Sequence, residues 1–425
     1  MKQKKVVYWT LRAIRVEDNP ALYYATQLAD QHDAICEVKF FVWPLFKTTT
    51  KRSMHFLLSG VLEMATRLAQ FNIPLEVVEM APYDYFEQQD KDVVCVVSEQ
   101  HVLKPVLQAQ LKTKEVLAKH KVPFETINTA TVVPVEIASN KCEFAARTLR
   151  PKIMGLFENY LHSLPPINVR QQSCTSIFNQ IQLQELMTKY SFWKECPLSF
   201  LSAGEQAANR QLTRFINEGI ENYHRRNEYN SNGQSYLSAY LHFGMISPKK
   251  VILMIKETNH PNAPLFIEEA LVRRELAENY CFYNSNYDSF EGAWPWAKET
   301  LTQHLQDERE YIYTQDHFEQ AMTHDDLWNF CQKQVVETGY LHSYLRMYWA
   351  KMVLYWTAHP KDAVEILVYL NDTYMLDGRD PNGYTGIMWS VAGVHDRPWF
   401  NKPITGLVRT MSKHGTLKKT KLDLY

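Results

Sequence analysis

Short apolar runs in the first third of the chain predict a buried parallel sheet. Runs of four to seven apolar residues alternate with stretches of helical periodicity, which is typical of strands covered by helices on both faces. The strand-like runs are 4–9, 37–43, 74–80 and 92–99, and the helical stretches include 51–70 and 105–120. We therefore predict a doubly wound, Rossmann-like α/β domain over residues 1–130.

The segment that follows is predicted to be a long connector over residues 131–200. Prolines interrupt it at 134, 151, 165, 166 and 197, and a helix is expected near 142–162.

Neither GxGxxG nor GxxxxGK[ST] occurs in the predicted α/β domain, so the usual phosphate loops of dinucleotide and nucleoside triphosphate sites are missing from it.

After residue 200 the apolar positions repeat every 3.6 residues. This period predicts an all-helical domain over 201–425. The polar stretch "YLNDTYMLDGRDPNGYTGIMW" (369–389) predicts a loop, because Asp and Asn cap helices and Gly admits positive φ. The predicted helices are 204–219, 247–257, 265–283, 315–336, 341–356 and 361–371.

Composition fits a two-domain protein of the cell interior. The chain has 425 residues, 45% of them hydrophobic, which is enough for large cores. No run approaches the roughly 18 apolar residues of a membrane-spanning helix, and Arg12 and Arg15 come too early for a signal peptide. We expect a cytoplasmic protein, associated with the nucleoid in a bacterium or with the nucleus in a eukaryote. The seven cysteines are scattered without metal-site spacing, so no metal is expected.

The charge is unevenly distributed. The formal net charge is −1, but the segment from Arg397 to Lys421 contains basic residues and no Asp or Glu. Such a tail suits a polyanion, although solvated basic ends of no binding function are as common. The basic residues are Arg397, Lys402, Arg409, Lys413, Lys418, Lys419 and Lys421.

Tryptophan is concentrated in the helical region, which holds seven of the ten. Trp349 and Trp356 are seven residues apart in "LHSYLRMYWAKMVLYW" (341–356). On a helix this spacing leaves them about 20° apart around the axis and about 10 Å apart along it. The pair suits electron transfer, but taken alone it is more often core packing.

Several segments together resemble the class II cyclobutane pyrimidine dimer photolyases of the photolyase/cryptochrome superfamily. They span most of the chain, in order. The resemblance implies an α/β domain, a linker and a helical FAD-binding domain. It also implies a DNA-repair lyase, acting as a monomer on double-stranded DNA, in which light-excited reduced FAD donates an electron to a flipped-out dimer. The segments are 146–153, 233–247, 266–284, 323–329, 341–357 and 369–399.

The resemblance assigns cofactor-binding roles to individual residues. The segment "QSYLS" matches a flavin phosphate-binding segment, Arg346 and Asp377 match an ion pair beside the flavin ring, and Asn371 matches the residue facing flavin N5. The implied FAD-binding residues are Tyr223, Gln234, Ser235, Tyr236, Leu237, Ser238, Arg346, Asn371, Asp377 and Arg379.

The resemblance also assigns catalytic, electron-transfer and DNA-binding roles. The implied catalytic residues are Glu269, Met347 and Trp389, which match residues that bind or pack against the dimer, and Asn371 at the flavin. The implied electron path runs from Trp349, the inner member, to Trp356, the outer member, with Trp328 and Tyr313 as further members. The implied DNA-binding residues are Arg226, Asn227, Arg397, Trp399 and Arg409.

Some positions depart from the family pattern. Ala13 and Pro20 stand where an acidic residue and a Trp are expected, and this difference concerns only the binding of an antenna chromophore, a deazaflavin or folate, in the N-terminal domain. Tyr236 and Ala239 replace an expected Asn and Pro, which contacts made by the backbone tolerate.

Other functions compete with dimer repair. One alternative is a cryptochrome-like flavin blue-light sensor, and another is a structural nucleic-acid binder without flavin. A third is a (6-4) photoproduct enzyme, which relies on active-site histidines, of which His395 is the candidate here.

Overall fold

A parallel sheet and a helical domain make up the chain, as the fold-class prediction states. The computed structural model describes residues 3–43, 45, 49–88, 92–168 and 178–424. The predicted combination of an α/β and an all-α part is confirmed. Among the described residues, no helix has both the length and the apolar character needed to cross a membrane.

The sheet has five parallel strands in the order β3-β2-β1-β4-β5. Its strands are β1 Lys5–Trp9, β2 Ile35–Phe41, β3 Leu75–Val78, β4 Val93–Glu99 and β5 Phe124–Ile127. The predicted runs correspond to β1 to β4. The sequence pattern missed β5, a four-residue edge strand with partly exposed side chains and hence no apolar run. The helices of this part are Pro20–Gln31, Lys51–Ala69, Pro82–Glu87 and Lys104–Lys119.

The loop after β1 joins the two parts of the molecule. Arg12 lies in this loop, and its guanidinium donates to the Glu278 carboxylate at 2.5 and 3.3 Å, with both residues buried. Gly244 has φ +62°, and a Cβ there would lie 1.8 Å from the Arg12 carbonyl oxygen, so this contact requires glycine. The Phe56 ring of the N-terminal domain also lies 5.7 Å from the Tyr240 ring and 5.5 Å from the Phe243 ring. The domains therefore share a packed interface.

In the described parts of the connector, 131–168 and 178–200, the helices are Val135–Ala138, Ala146–Tyr160 and Gln180–Lys189. The second corresponds to the helix predicted near 142–162. The start of the connector is fixed to the helical domain by Glu275, whose carboxylate accepts the backbone N–H groups of Val132 at 2.6 Å and Val133 at 3.3 Å. Burial raises the pKa of Glu275 to about 8, so this carboxyl is mostly protonated at neutral pH.

Replacing Glu275 with Gln should flatten the pH dependence of stability. Between the unfolded pKa of about 4.3 and the folded pKa of about 8, the native state binds one proton more than the unfolded state. Stability therefore falls as pH rises through this window, by about 3 kcal/mol between pH 5 and pH 7. Chemical denaturation at several pH values measures it. Parallel curves for the wild type and Glu275→Gln would contradict a proton-bound Glu275.

The helical domain follows the predicted order, with two corrections. The predicted helix 315–336 is wrong as one element, because Asp325 caps a second helix by accepting the N–H of Trp328. The predicted loop 369–389 is also wrong, since a helix begins at Pro381 behind the Asp380 cap. The α-helices are Glu205–Arg214, Ser238–His242, Pro248–Glu257, Ala263–Ile267, Arg274–Tyr283, Pro295–Gln303, Gln315–Glu319, Asp326–Thr338, Ser343–Tyr355, Pro360–Tyr374, Pro381–Ala392 and Lys413–Thr420.

Wider and tighter turns interrupt these helices. Phe215–Gly219 and Glu268–Arg273 are π-helical, and Ile220–Arg225 and Phe290–Gly292 are 3₁₀ segments. The Glu268–Arg273 segment joins two α-helices into one continuous rod, which corresponds to the predicted helix 265–283. Isolated π turns of this kind are common at functional sites.

Candidate active site

Six of the predicted functional residues line one central cavity of about 360 Å³ in the helical domain. They come from segments far apart in sequence: the π-helical turn, the helix Ser343–Tyr355 and the two helices that follow it. The cavity thus brings together charged, amide, thioether and indole groups. These residues are Glu269, Arg346, Met347, Trp349, Asn371 and Trp389.

A second cavity of about 190 Å³ adjoins the first. Glu269, Arg346, Asn382 and Gly383 line both, so the two cavities are neighbours that share one wall. Further predicted cofactor-binding residues line the second cavity, namely Tyr223, Ser235, Leu237, Ser238 and Asp377.

An ion pair stands where the two cavities meet. The Nη2 atom of Arg346 lies 3.0 and 3.3 Å from the carboxylate oxygens of Asp377. Both side chains are mostly buried, with 28% and 12% of their surfaces exposed. A partly enclosed guanidinium paired with one carboxylate can orient a polar ring and balance its charge. The predicted association of these two residues is present.

Asn371 is buried in the wall of the central cavity, and its amide is fixed in orientation. Its Nδ2 donates to Asp372 Oδ1 at 2.9 Å. Asp372 in turn accepts the Tyr384 hydroxyl at 2.7 Å and the Arg379 N–H at 3.0 Å. Burial raises the pKa of Asp372. Asn371 lies within the helix Pro360–Tyr374 and is therefore not a helix-end cap.

Gly383 allows a close approach to the side chain of Asn371. A Cβ at residue 383 would lie 2.8 Å from Asn371 Nδ2, and the amide cannot swing away because Asp372 holds it. We expect Gly383→Ala to displace Asn371 into the cavity and to weaken binding of a flat ligand there. Flavin content per protein after gel filtration measures it, with Gly386→Ala as control, since its added Cβ meets nothing within 4 Å. Equal flavin content in both variants would contradict the expectation.

The segment 234–238 forms the rim of the second cavity. Gln234 donates from Nε2 to the Arg226 carbonyl at 2.6 Å and accepts the Tyr340 hydroxyl at 3.0 Å, so its side chain holds the loop. Tyr236 has φ +54° and packs against the Tyr340 ring at 5.0 Å. The groups that line the cavity are therefore those of Ser235, Leu237 and Ser238.

Glu269 projects into the central cavity from the π-helical turn. The Glu269 side chain is 46% exposed, and its carboxylate lies 3.3 Å from Nη2 of Arg226. An accessible carboxylate held by one guanidinium can accept hydrogen bonds from a ligand entering the cavity. Asn227, next to Arg226, lies outside the described lining of the cavity.

Met347 and Trp389 form a partition between the central cavity and an outer groove of about 390 Å³. The groove is aromatic and basic. Arg409 lies 4.2 Å from the ring centroid of Trp399, and Arg397 lies 5.1 Å from it. The predicted DNA-binding residues Arg397, Trp399 and Arg409 are thus one cluster.

Lys351 is a residue that the sequence interpretation missed. Its ammonium is buried, donates to the Ser390 carbonyl at 2.9 Å and lies 4.6 Å from the ring centroid of Trp389. Burial lowers its pKa to about 7. The signal in the sequence is a lone cation in the apolar run "YWAKMVLYW", four residues after Met347 and hence on the same helix face.

Three tryptophans form a continuous path away from the central cavity. Trp349 lines the cavity, Trp328 stacks on it at 6.4 Å, and Trp356 meets Trp328 edge-on at 6.3 Å. The Trp328 Nε1 donates to the Trp349 carbonyl at 2.8 Å. Tyr313 follows, with its ring 6.0 Å from that of Trp356. Trp328 therefore bridges Trp349 and Trp356, the two tryptophans that are seven residues apart in sequence.

Arg379 lies apart from the two cavities of the predicted flavin site. It lines a third cavity of about 140 Å³ between the domains, and its Nη2 donates to Thr49 Oγ1 at 2.7 Å. The same cavity contains Arg12 and Asp380, and Asp380 accepts from Nδ1 of His242 at 3.1 Å if that nitrogen is protonated. Asp380 and His242 also line the second cavity, so this pair separates the two spaces.

The proteins that this chain resembles in sequence are DNA photolyases. A family model described as DNA photolyase matches residues 6–168. The chain is 36% identical over 432 residues to the deoxyribodipyrimidine photo-lyase of Potorous tridactylus, covering 97% of this chain and 79% of that protein. It is 35% identical over 439 residues to the protein of the same name from Arabidopsis thaliana, covering 99% and 88%.

Solved structures share the fold. An archaeal photolyase from Sulfolobus tokodaii with two FAD molecules matches with a TM-score of 0.73 at 15% identity, covering 98% of this chain and 87% of that one. A cryptochrome from Synechocystis matches with a TM-score of 0.78 at 14% identity, covering 99% and 87%. At identities this low, the likeness to these structures shows a shared fold and nothing about function.

Proposed function

The chain belongs to the DNA photolyase family, and from this premise we propose that it repairs cyclobutane pyrimidine dimers in DNA with light. The reaction class is that of a carbon–carbon lyase acting through electron transfer. The observation that carries the proposal is the central cavity, where Glu269, Met347 and Trp389 face the same space as Arg346 and Asn371.

The residues around the two adjoining cavities fit FAD. The Arg346–Asp377 pair would orient the flavin ring and balance its charge, and the fixed Asn371 amide would face it. Ser235, Leu237 and Ser238 would hold the phosphates at the rim. When bound, FAD supplies the light-absorbing group that, once reduced and excited, donates an electron to the dimer and takes it back.

The cavity wall supplies the groups for a flipped-out dimer. Glu269 would accept hydrogen bonds from the dimer's N–H groups, with Arg226 holding the carboxylate in place. Met347 and Trp389 would pack against the faces of the two bases and exclude water. The duplex beside the cavity would be contacted by Arg397, Trp399 and Arg409. Asn227 would contact the DNA at the edge of the cavity. We further propose that the protein acts as a monomer in whichever compartment holds the DNA.

Blue-light repair of defined oligonucleotides tests this function. Purified protein should restore a thymine strand with one cyclobutane dimer under blue light, should do nothing in the dark, and should leave a (6-4) photoproduct untouched. Glu269→Gln should retain flavin and lose most of the repair. Bound flavin without repair of either lesion would instead favour a cryptochrome-like sensor, and repair of the (6-4) photoproduct would favour a (6-4) photoproduct enzyme.

We also propose that the cavity between the domains holds an antenna chromophore. It lies at the carboxyl ends of β1, β2 and β4, where ligands bind in doubly wound sheets. Its lining includes the aromatic residues Phe40, Trp43 and Phe243 beside the polar groups of Arg12 and Asp380, which suits a planar ring system with polar edges. Fluorescence titration with a deazaflavin and with a folate tests it, and a second absorption band that sensitises repair is the expected result.

A further inference from the structure

The outer end of the tryptophan path is a cluster of Tyr311, Tyr313 and His324 packed on Trp356. The His324 ring meets the Trp356 ring edge-on at 4.9 Å and stacks on the Tyr311 ring at 3.7 Å with 12° between the planes. The Tyr313 ring lies 6.0 Å from that of Trp356. The cluster therefore touches the last tryptophan on one side and, since His324 is exposed, water on the other.

Two hydrogen bonds join the Tyr313 hydroxyl to His324. The oxygen accepts the backbone N–H of His324 at 2.9 Å, and it lies 2.9 Å from the Nδ1 atom of the same residue. Because the oxygen already accepts from the backbone, its own proton is free to be donated to Nδ1 of the neutral imidazole. The other nearby imidazole, that of His317, has Nδ1 occupied at 2.7 Å from Thr314 Oγ1.

We propose that His324 is the proton acceptor for Tyr313 when that tyrosine donates an electron to oxidised Trp356. The proposal rests on the photolyase function proposed above and on the path of ring contacts Trp349–Trp328–Trp356, along which an electron would reach light-excited flavin and leave the vacancy on Trp356. One electron passes from Tyr313 to the Trp356 radical cation, the tyrosine O–H bond breaks, and an N–H bond forms at His324 Nδ1. The neutral tyrosyl radical remains, and the imidazolium releases a proton to water from Nε2.

Proton transfer is what would make the transfer to tyrosine productive. A phenol that loses an electron and keeps its proton becomes a radical cation, which is a very strong acid and is high in energy. A base already hydrogen-bonded to the oxygen removes that obstacle with no movement of heavy atoms. The vacancy then stays at the surface, more than two ring contacts from the cavity, where an external reductant can fill it.

Flash photolysis of the flavin-loaded protein tests the proposal directly. In the unaltered protein, a tryptophan radical signal should convert into a tyrosyl radical signal, and the conversion should be slower in D₂O than in H₂O. His324→Phe keeps a flat ring between Tyr311 and Trp356 but has no proton acceptor. It should keep the tryptophan signal and lose the tyrosyl signal.

Chemical rescue separates a proton-transfer role from a structural one. His324→Gly opens a gap at the surface, and imidazole added to the solution should restore the tyrosyl signal in this variant. Imidazole should not restore it in Tyr313→Phe, and Tyr311→Phe should behave like the unaltered protein. An undiminished tyrosyl signal in His324→Phe, or one that survives in Tyr313→Phe, would overturn the proposal. Absence of any tryptophan radical in the unaltered protein would instead overturn the electron path itself.

Discussion

Trp328→Phe should lose photoreduction of the flavin while keeping repair by chemically reduced enzyme. Trp328 is fully buried and lies 6.4 Å from Trp349 and 6.3 Å from Trp356 by ring centroids, so it is the bridge between them. A phenyl ring fills most of the same space but is much harder to oxidise than an indole. The path is then cut in the middle, although both of its ends remain.

Two activities of the Trp328→Phe variant are measured separately, photoreduction of the flavin and repair by protein that is already reduced. Blue-light reduction of oxidised flavin in the presence of a thiol should fall to the dark level, and repair by dithionite-reduced protein should match the wild type. Trp294→Phe is a matched control, because it removes an indole from the same domain away from the path, where it stacks on Phe144. Parallel loss of both activities in Trp328→Phe would indicate a packing role instead.

Arg12→Met should destabilise the protein by about 3 to 5 kcal/mol, because it leaves a buried carboxylate without its partner. Glu278 has only 2% of its side chain exposed, and Arg12 has 7%. Their bidentate pair joins the loop after β1 to the helical domain across the interface. Methionine replaces the bulk of the arginine stem, so the loss measures the isolated charge of Glu278 and not a cavity.

A double variant and a surface pair complete the measurement. Arg12→Met with Glu278→Leu should recover much of the loss in urea denaturation, since no unpaired charge then remains. Arg150 and Glu268 form a similar bidentate pair with 41% and 27% of their side chains exposed. Arg150→Met should cost less than about 1 kcal/mol. Comparable losses in Arg12→Met and Arg150→Met would contradict the role given to burial.

The periodic parts of the fold were predictable from sequence because burial imposes the period. Strands β1, β2 and β4 lie in the interior of the sheet and are mostly buried, which produces their apolar runs, whereas β5 at one edge has partly exposed side chains and no such run. The helix Pro381–Ala392 was mistaken for a loop because Gly383 and Gly386 lower its helix propensity. Gly383 permits a close approach to Asn371. This contact joins two helices, so the local sequence pattern does not predict it.

The site was predictable where the resemblance fixed single residues and was not predictable where it depends on packing between helices. Arg346 and Asp377 could be paired in advance. The position of Trp328 between two tryptophans of another helix could not, since helical spacing describes one helix at a time. The placement of Arg379 in a different cavity from Asp377, two residues away, follows from its positive φ of +57°, which no periodicity describes.

The π-helical turn Glu268–Arg273 limits which insertions and deletions this chain can tolerate. It holds Glu269 toward the cavity, while Glu275 and Glu278, on the α-helix that follows, face the connector and the N-terminal domain. Removing one residue from the turn would rotate everything after it by about 100° relative to everything before it. The carboxylates on its two sides could then no longer reach their partners together. The length of this segment is therefore as constrained as the identity of its side chains.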